Sequence, residues 1–200
     1  MRNFNDKYSL VRVLHAVVDA GPVDVYLNGN ELYNDVIFTK FTPYIYVPKG
    51  KYTVEVYPKD SKENPIIQKE VKFKPEELVT LAISGNPKSV EIVKINEDIQ
   101  MPSKGKAKIR FIHLVPNGRE VSVFLNGIEA VSEIDYKEVT DYIEVEPGVY
   151  QAEIELTQNG KLIRAIKVTV NADRIYTFYA IGNKPNFQIY QSLDGATFLN

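Results

Sequence analysis

The chain has 200 residues, 44% of them hydrophobic, and carries 24 Lys and Arg against 26 Asp and Glu for a formal net charge of −2. A balance this close to neutral lacks the basic excess with which a nucleic-acid binder displaces counterions, so no nucleic-acid partner is expected. The absence of cysteine excludes disulfides, thiolate metal sites and cysteine nucleophiles.

The opening MRNFNDKYSLVRVLHAVVDAG has no uninterrupted apolar core, because Arg12, His15 and Asp19 break its only candidate run. It does not read as a classical export signal. No stretch approaches membrane-spanning length, so the chain is expected not to span a membrane.

From Tyr8 onward, short segments alternate apolar and polar residues and are separated by turn residues, with no sustained helical period. Val11 and Val13 lead to His15; Asp19, Gly21 and Pro22 turn the chain into Val23, Val25 and Leu27. Asn28-Gly29 is a strong hairpin signal, since Asn tolerates and Gly permits a left-handed backbone. Strands are expected over Leu32 to Phe38, Tyr44 to Val47 and Tyr52 to Val56, then a polar loop over Pro58 to Pro65, and strands at Ile66 to Phe73, Leu78 to Ile83 and Val90 to Ile95.

The chain then starts again. RVLHAVVDAGPVDVYLNG from Arg12 to Gly29 returns as RFIHLVPNGREVSVFLNG from Arg110 to Gly127, an offset of 98 that Tyr44/Tyr142 and Tyr52/Tyr150 keep. In the second copy, strands are expected at Ile109 to His113, Val121 to Leu125, Val139 to Val145, Tyr150 to Leu156, Ile163 to Val170, Ile175 to Ile181 and Phe187 to Tyr190. The fold class is therefore all-β: two tandem immunoglobulin-like (Greek-key) β-sandwich domains of about seven strands each. The expected boundaries are 1–95 for the first repeat, 96–105 for a polar linker containing Pro102 and Gly105, and 106–200 for the second repeat.

Arg12, Val13, His15, Ala16, Asp19, Ala20, Pro22, Val23, Asp24, Val25, Tyr26, Asn28 and Gly29 fall on the pattern R-V-x-H-A-x-P-D-A-P-x-V-D-V-Y-x-N-G, with Val18 in place of its first proline and Gly21 slipped before Pro22. By these residues the chain resembles a bacterial family of unknown function, number 4397 in the domain-of-unknown-function series. The second copy keeps Arg110, His113, Pro116, Val121, Val123, Asn126 and Gly127, but has Asn117 and Ser122 where the pattern has aspartates. The resemblance implies a β-sandwich repeat of secreted or surface-attached bacterial proteins. It implies no reaction and no catalytic residue.

The residues that stand out are Arg12, His15, Asp19, Asn28 and Gly29, and in the second copy Arg110, His113, Asn126 and Gly127. Three residues along a strand put Arg and His on opposite faces, so the two do not form one site through that strand. With two histidines, no cysteine and no loop of alternating acidic residues, no metal or other cofactor is expected, and each histidine is read as hydrogen-bonded to its own neighbouring turn. The run Glu129, Glu133, Asp135, Glu138, Asp141, Glu144 and Glu146 reads as a solvated sheet edge. Among thirteen tyrosines, Tyr33, Tyr44, Tyr46 and Tyr57 form a candidate carbohydrate or peptide surface, with cross-strand packing as the preferred reading.

No nucleophile, base and stabilising donors come together in any pattern, so an enzyme is not expected. The function expected is a structural or adhesive β-sandwich of the bacterial envelope or surface. Its expected partners are further copies joined through sheet edges, other envelope proteins or glycans.

Overall fold

The computed structural model describes residues 6–183 and 187–199 and divides into two compact units, one running through Ile99 and one over Gln100–Phe198. The first holds strands β1 (Tyr8–His15), β2 (Val23–Leu27), β3 (Asn30–Val36), β4 (Ile45–Pro48), β5 (Gly50–Pro58), β6 (Ile67–Phe73), β7 (Leu78–Asn86) and β8 (Ser89–Glu97). These form two four-stranded sheets, ordered β4-β1-β7-β8 and β3-β2-β5-β6. All pairings are antiparallel except β1 with β7, which run parallel from Leu10↔Leu78 to His15↔Ile83. That parallel pair is the crossover of a Greek-key sandwich.

The second unit repeats the plan with β9 (Ala107–His113), β10 (Val121–Leu125), β11 (Ile128–Ile134), β12 (Ile143–Val145), β13 (Gly148–Leu156), β14 (Lys161–Val170), β15 (Arg174–Gly182) and β16 (Phe187–Leu193), followed by a single 3-10 turn at Gly195–Phe198. Its sheets are β12-β9-β15-β16 and β11-β10-β13-β14. The β9–β15 pair is parallel like its counterpart. No helix among the described residues is long and apolar enough to cross a membrane.

Among the described residues each copy thus has eight strands. The additional one in the second domain is β11, whose IEAVSEI sequence carries Glu129 and Glu133 and reads as part of an acidic run. It pairs with β10 through two register shifts, between Val121 and Val123 and between Val123 and Phe124, the same two by which β3 pairs with β2. As an edge strand it places those glutamates where charge discourages further pairing. The stretch expected as a strand from Val139 is shorter: Val139 makes one bridge to Ile112, and the strand proper is Ile143–Val145.

Inward side chains follow the period of two. Val11 and Val13 of β1, Val23, Val25 and Leu27 of β2, Val54 and Val56 of β5, and Val79, Leu81 and Ile83 of β7 are buried together with Phe73. The second core adds the stacked rings of Phe111 and Phe178, with centroids 5.4 Å apart. With no Trp and no disulfide, these aliphatic side chains carry the stability, each contributing roughly 1.5–3 kcal/mol when fully buried.

The duplication extends to backbone irregularities. Asn28-Gly29 and Asn126-Gly127 all have positive φ (49°, 75°, 51° and 76°), the signature of a type I′ turn. Asp19 and Asn117, Asp35 and Glu133, and Thr39 and Lys137 occupy the left-handed region at matching positions. Between the last strand of one unit and the first of the next, Ser103 donates its backbone N–H to Glu144 and Gly105 donates to Asp173, which fastens this segment to the second domain.

Candidate ligand-binding face

The repeated ionisable residues form two internal clusters. In the first domain Arg12 and Glu97 are both buried, and the guanidinium lies 3.3 Å from the carboxylate across a sequence separation of 85. Arg12 Nε donates to Thr80 Oγ1 at 2.8 Å, and that hydroxyl donates to Glu97 at 2.6 Å. The Tyr44 hydroxyl donates to the same carboxylate at 2.7 Å. The rings of Phe41 and Tyr44 cover the guanidinium at 4.7 and 4.6 Å. Every charge is therefore paired and hydrogen-bonded, the condition for tolerating burial.

The second domain rebuilds the arrangement with Asp194 in place of Glu97 and with Val139 at the position of Phe41. Arg110 Nε donates to Thr177, Thr177 donates to Asp194 at 2.8 Å, and the Tyr142 hydroxyl donates to Asp194 while its ring faces Arg110 at 4.4 Å. The shorter aspartate sits 3.8 Å from Arg110.

His15 and His113 are buried loop clamps. Nδ1 of His15 accepts the Val17 N–H at 3.2 Å, which leaves the proton on Nε2 to be donated to the Gly21 carbonyl at 3.1 Å. His113 does the same with Val115 and the Arg119 carbonyl, both at 3.2 Å. Each ring spans the turn that carries the left-handed Asp19 or Asn117. Burial pushes both imidazole pKa values below the ordinary 6.5, with the bond to the Gly21 or Arg119 carbonyl opposing the shift. Neutral, fully hydrogen-bonded rings locked in one tautomer stabilise a loop. Among the described residues, no group of three or more His, Asp or Glu is placed to hold a metal ion.

Of the four tyrosines that form the candidate ligand surface, only Tyr46 is well exposed, at 61%. Tyr33 is half-buried and its hydroxyl donates to the carbonyls of Val11 and Pro43. Tyr44 belongs to the Arg12 cluster, and Tyr57 is 6% exposed and packs edge-on against Tyr26 with centroids 5.4 Å apart. The four do not form one surface.

A different site opens beside them. The outer face of the first domain holds a polar groove of about 520 Å³ whose floor is Asp24 and Tyr26 of β2. One wall is β3 and its bulge, with Glu31, Asn34 and Asp35; the other is the β5–β6 loop, with Lys59, Asp60, Ser61 and Lys62. Asp24 ties the walls together, accepting the N–H of Asp35 at 2.8 Å on one oxygen and that of Asp60 at 3.0 Å on the other. Lys59 bridges to Asp35 at 3.0 Å, and this contact raises the lysine pKa. Lys62 lies 4.2 Å above the Tyr26 ring and donates to the Gly29 carbonyl.

Among the described residues the second domain does not repeat these side chains. Ser122, Phe124 and Glu155 stand where the first has Asp24, Tyr26 and Tyr57, and a tight turn from β13 to β14 replaces the longer loop. The sequence drew no attention to this groove, because nothing in the Pro58 to Pro65 stretch shows that it folds back beside β2. The one available signal was Asp24 on an otherwise apolar strand, an aspartate that the second copy lacks.

The chain belongs to the family described as Domain of unknown function (DUF4397), whose model matches residues 9–124 and again 110–197. No curated protein matches it. Among solved structures it is similar to a family 26 carbohydrate-binding module from Eubacterium rectale Amy13K in complex with maltoheptaose, at 11% identity and TM-score 0.32 over 94% of this chain and 99% of that one. It is also similar to family 41 carbohydrate-binding modules from streptococcal virulence factors, at 10% identity and TM-score 0.31 over 96% and 100% of the two chains. The fimbrial anchor protein Mfa2 from Porphyromonas gingivalis follows at 9% identity and TM-score 0.25 over 93% and 98%. Likenesses this slight do not bear on function.

Proposed function

We propose that the protein is a non-enzymatic structural or adhesive module of the bacterial surface, and that the first domain holds a polar ligand, a glycan or an extended peptide, in the groove over Asp24 and Tyr26. The observation that supports this reading is the contrast between the copies. The buried Arg–Thr–carboxylate–Tyr clusters and the histidine clamps occur twice and serve the fold, whereas the groove belongs to the first domain and is lined, apart from Asp24, by exposed and half-buried side chains outside the hydrophobic core. Its mixture of carboxylates, lysines, Asn34 and Ser61 supplies both donors and acceptors at a concave surface, as recognition of a hydroxyl-rich or amide-rich ligand demands.

Glycan-array and peptide-array binding by the full chain, repeated with Tyr26→Ala and Lys62→Ala, tests it. Binding that either substitution abolishes supports the groove; silence on both arrays, or binding indifferent to both substitutions, refutes it.

A second reading, self-association, draws on the outer strands of each sheet. Strands β3, β4, β6 and β8, and their four counterparts, pair on one side only among the described residues. Added strands at such edges would give polymers. Light scattering and negative-stain imaging that show ordered assemblies, lost on deletion of Met1 to Lys7, would favour it over a monomeric binding module.

A further inference from the structure

We propose that the second domain carries its own binding site, independent of the groove in the first, for a small amphiphilic anion: an apolar chain or ring ending in a carboxylate. The site is a cavity of about 340 Å³ between the β9–β10 loop and the β13–β14 hairpin. That size falls within the range of pockets that enclose small ligands. Its wall is apolar, formed chiefly by Val115, Leu156, Leu162, Ile163 and Phe187, and among the described residues its charged lining is Arg119 and Lys161, with no carboxylate.

Three features of the second copy create the cavity. The tight hairpin replaces the longer loop of the first copy, and β14 carries a bulge opposite Ile154 and Glu155 that brings Leu162 and Ile163 into the wall. Phe187 opens β16 and pairs with Gly182, the last residue of β15, where Val90 pairs with Gly85, the penultimate residue of β7, in the first domain. Arg119 replaces Gly21, and its backbone carbonyl is held by His113 at 3.2 Å, so a rigid loop presents the guanidinium. At the positions that match Arg119, Leu156, Lys161, Leu162 and Ile163, the first domain has Gly21, Pro58, Glu63, Asn64 and Pro65.

Leu162 is 50% exposed, an unusual solvent contact for a leucine beside a concave apolar wall. Arg119 makes one side-chain hydrogen bond, to Gln158 at 3.4 Å, and neither Arg119 nor Lys161 forms a salt bridge among the described residues. Two cations without ion pairs at the mouth of an apolar cavity complement one negative headgroup on one apolar tail. A neutral tail would leave the cations unanswered, and a cationic one would be repelled.

The test is an NMR titration of the isotopically labelled full chain with sodium octanoate, and in parallel with octylammonium chloride as the same tail under the opposite charge. The expected result is saturable shifts in residues 115–121 and 156–163 and at Phe187, with octanoate binding about tenfold more tightly than octylammonium. The double substitution Arg119→Glu/Lys161→Glu should reverse that order, and Leu162→Asp should remove both. All three positions are exposed, so the variants retain the fold. No saturable shift with octanoate, shifts centred elsewhere, or equal binding of the two ligands would overturn the proposal. Loss of groove binding in the first domain would leave this result untouched, and the reverse holds as well.

Discussion

Arg12 and Glu97 meet at 3.3 Å although 85 residues separate them, and the contact ties the first strand of the first domain to the last residue of its eighth. Both side chains are almost completely removed from solvent. Removing one partner leaves the other buried and uncompensated, so Glu97→Ala is expected to destabilise the first domain by about 3–5 kcal/mol. Lys51→Ala, which breaks the exposed pair with Glu70, should cost no more than about 1 kcal/mol. Urea denaturation of the two variants, with each domain's transition fitted separately, compares them. Equal costs would show that the buried cluster contributes no more than a surface pair.

The histidines give the fold a pH dependence of defined sign. Burial lowers their folded-state pKa below 6.5, so as pH falls the unfolded chain takes up protons first. The stability from these neutral rings is complete above pH 6.5 and is lost as pH falls from there through the folded-state values. The slope is at most about 1.4 kcal/mol per pH unit for each histidine. His15→Asn/His113→Asn should be less stable at pH 7.5 yet lose less between pH 7.5 and 5.5. Thermal denaturation across that range reads the difference in slope, and parallel curves for wild type and variant would contradict it.

Gly118 lies against the His113 ring. A Cβ there would come within 2.5 Å of Cε1 and 2.7 Å of Nε2, and 2.8 Å of the Val115 carbonyl oxygen. Gly118→Ala must therefore displace the imidazole that clamps the loop, at a cost of about 1–3 kcal/mol. The first domain carries Ala20 at the matching position, so Ala20→Gly should change stability much less. Differential scanning calorimetry of both variants decides whether the close approach is specific to the second copy.

Asp24 uses both carboxylate oxygens to hold the groove's walls. Asp24→Asn retains one acceptor and turns the other into a donor facing an N–H. A loss of about 1–3 kcal/mol in the first domain is expected. Faster amide exchange at Asp35 or Asp60 should accompany it. Unchanged exchange at both amides would mean that the carboxylate does not organise the groove.

The fold class could be read from the chain because its determinants are local: alternation in β1, β2 and β5, the Asn-Gly turns, and a repeat with a constant offset. Strand β11 is less legible than its counterpart β3, which shares the acidic positions and both register shifts, because Ala130 and Val131 stand where β3 has the bulkier Leu32 and Tyr33. The sites were much less legible. Arg12 announced itself by its repetition, but its partner Glu97 sat at the edge of a polar stretch that reads as a connector. Carbonyls such as Gly21 O, which receive the histidine proton, carry no sequence signature at all. The groove and the cavity both depend on where the β5–β6 and β13–β14 connections come to rest, and that is decided by tertiary packing.

In each domain the parallel crossover pair and the antiparallel last strand bring the start of the first strand level with the end of the eighth: Leu10 and Glu97 both register with Leu78, and Ala107 and Leu193 stand near opposite sides of β15 at its beginning. The chain therefore enters and leaves a domain at the same rim. Tension transmitted along the backbone acts on that rim first and parts hydrogen bonds there in succession. The opposite rim, where the histidine clamps lie and where the β5–β6 and β13–β14 connections turn, bears no load until the strands between have separated.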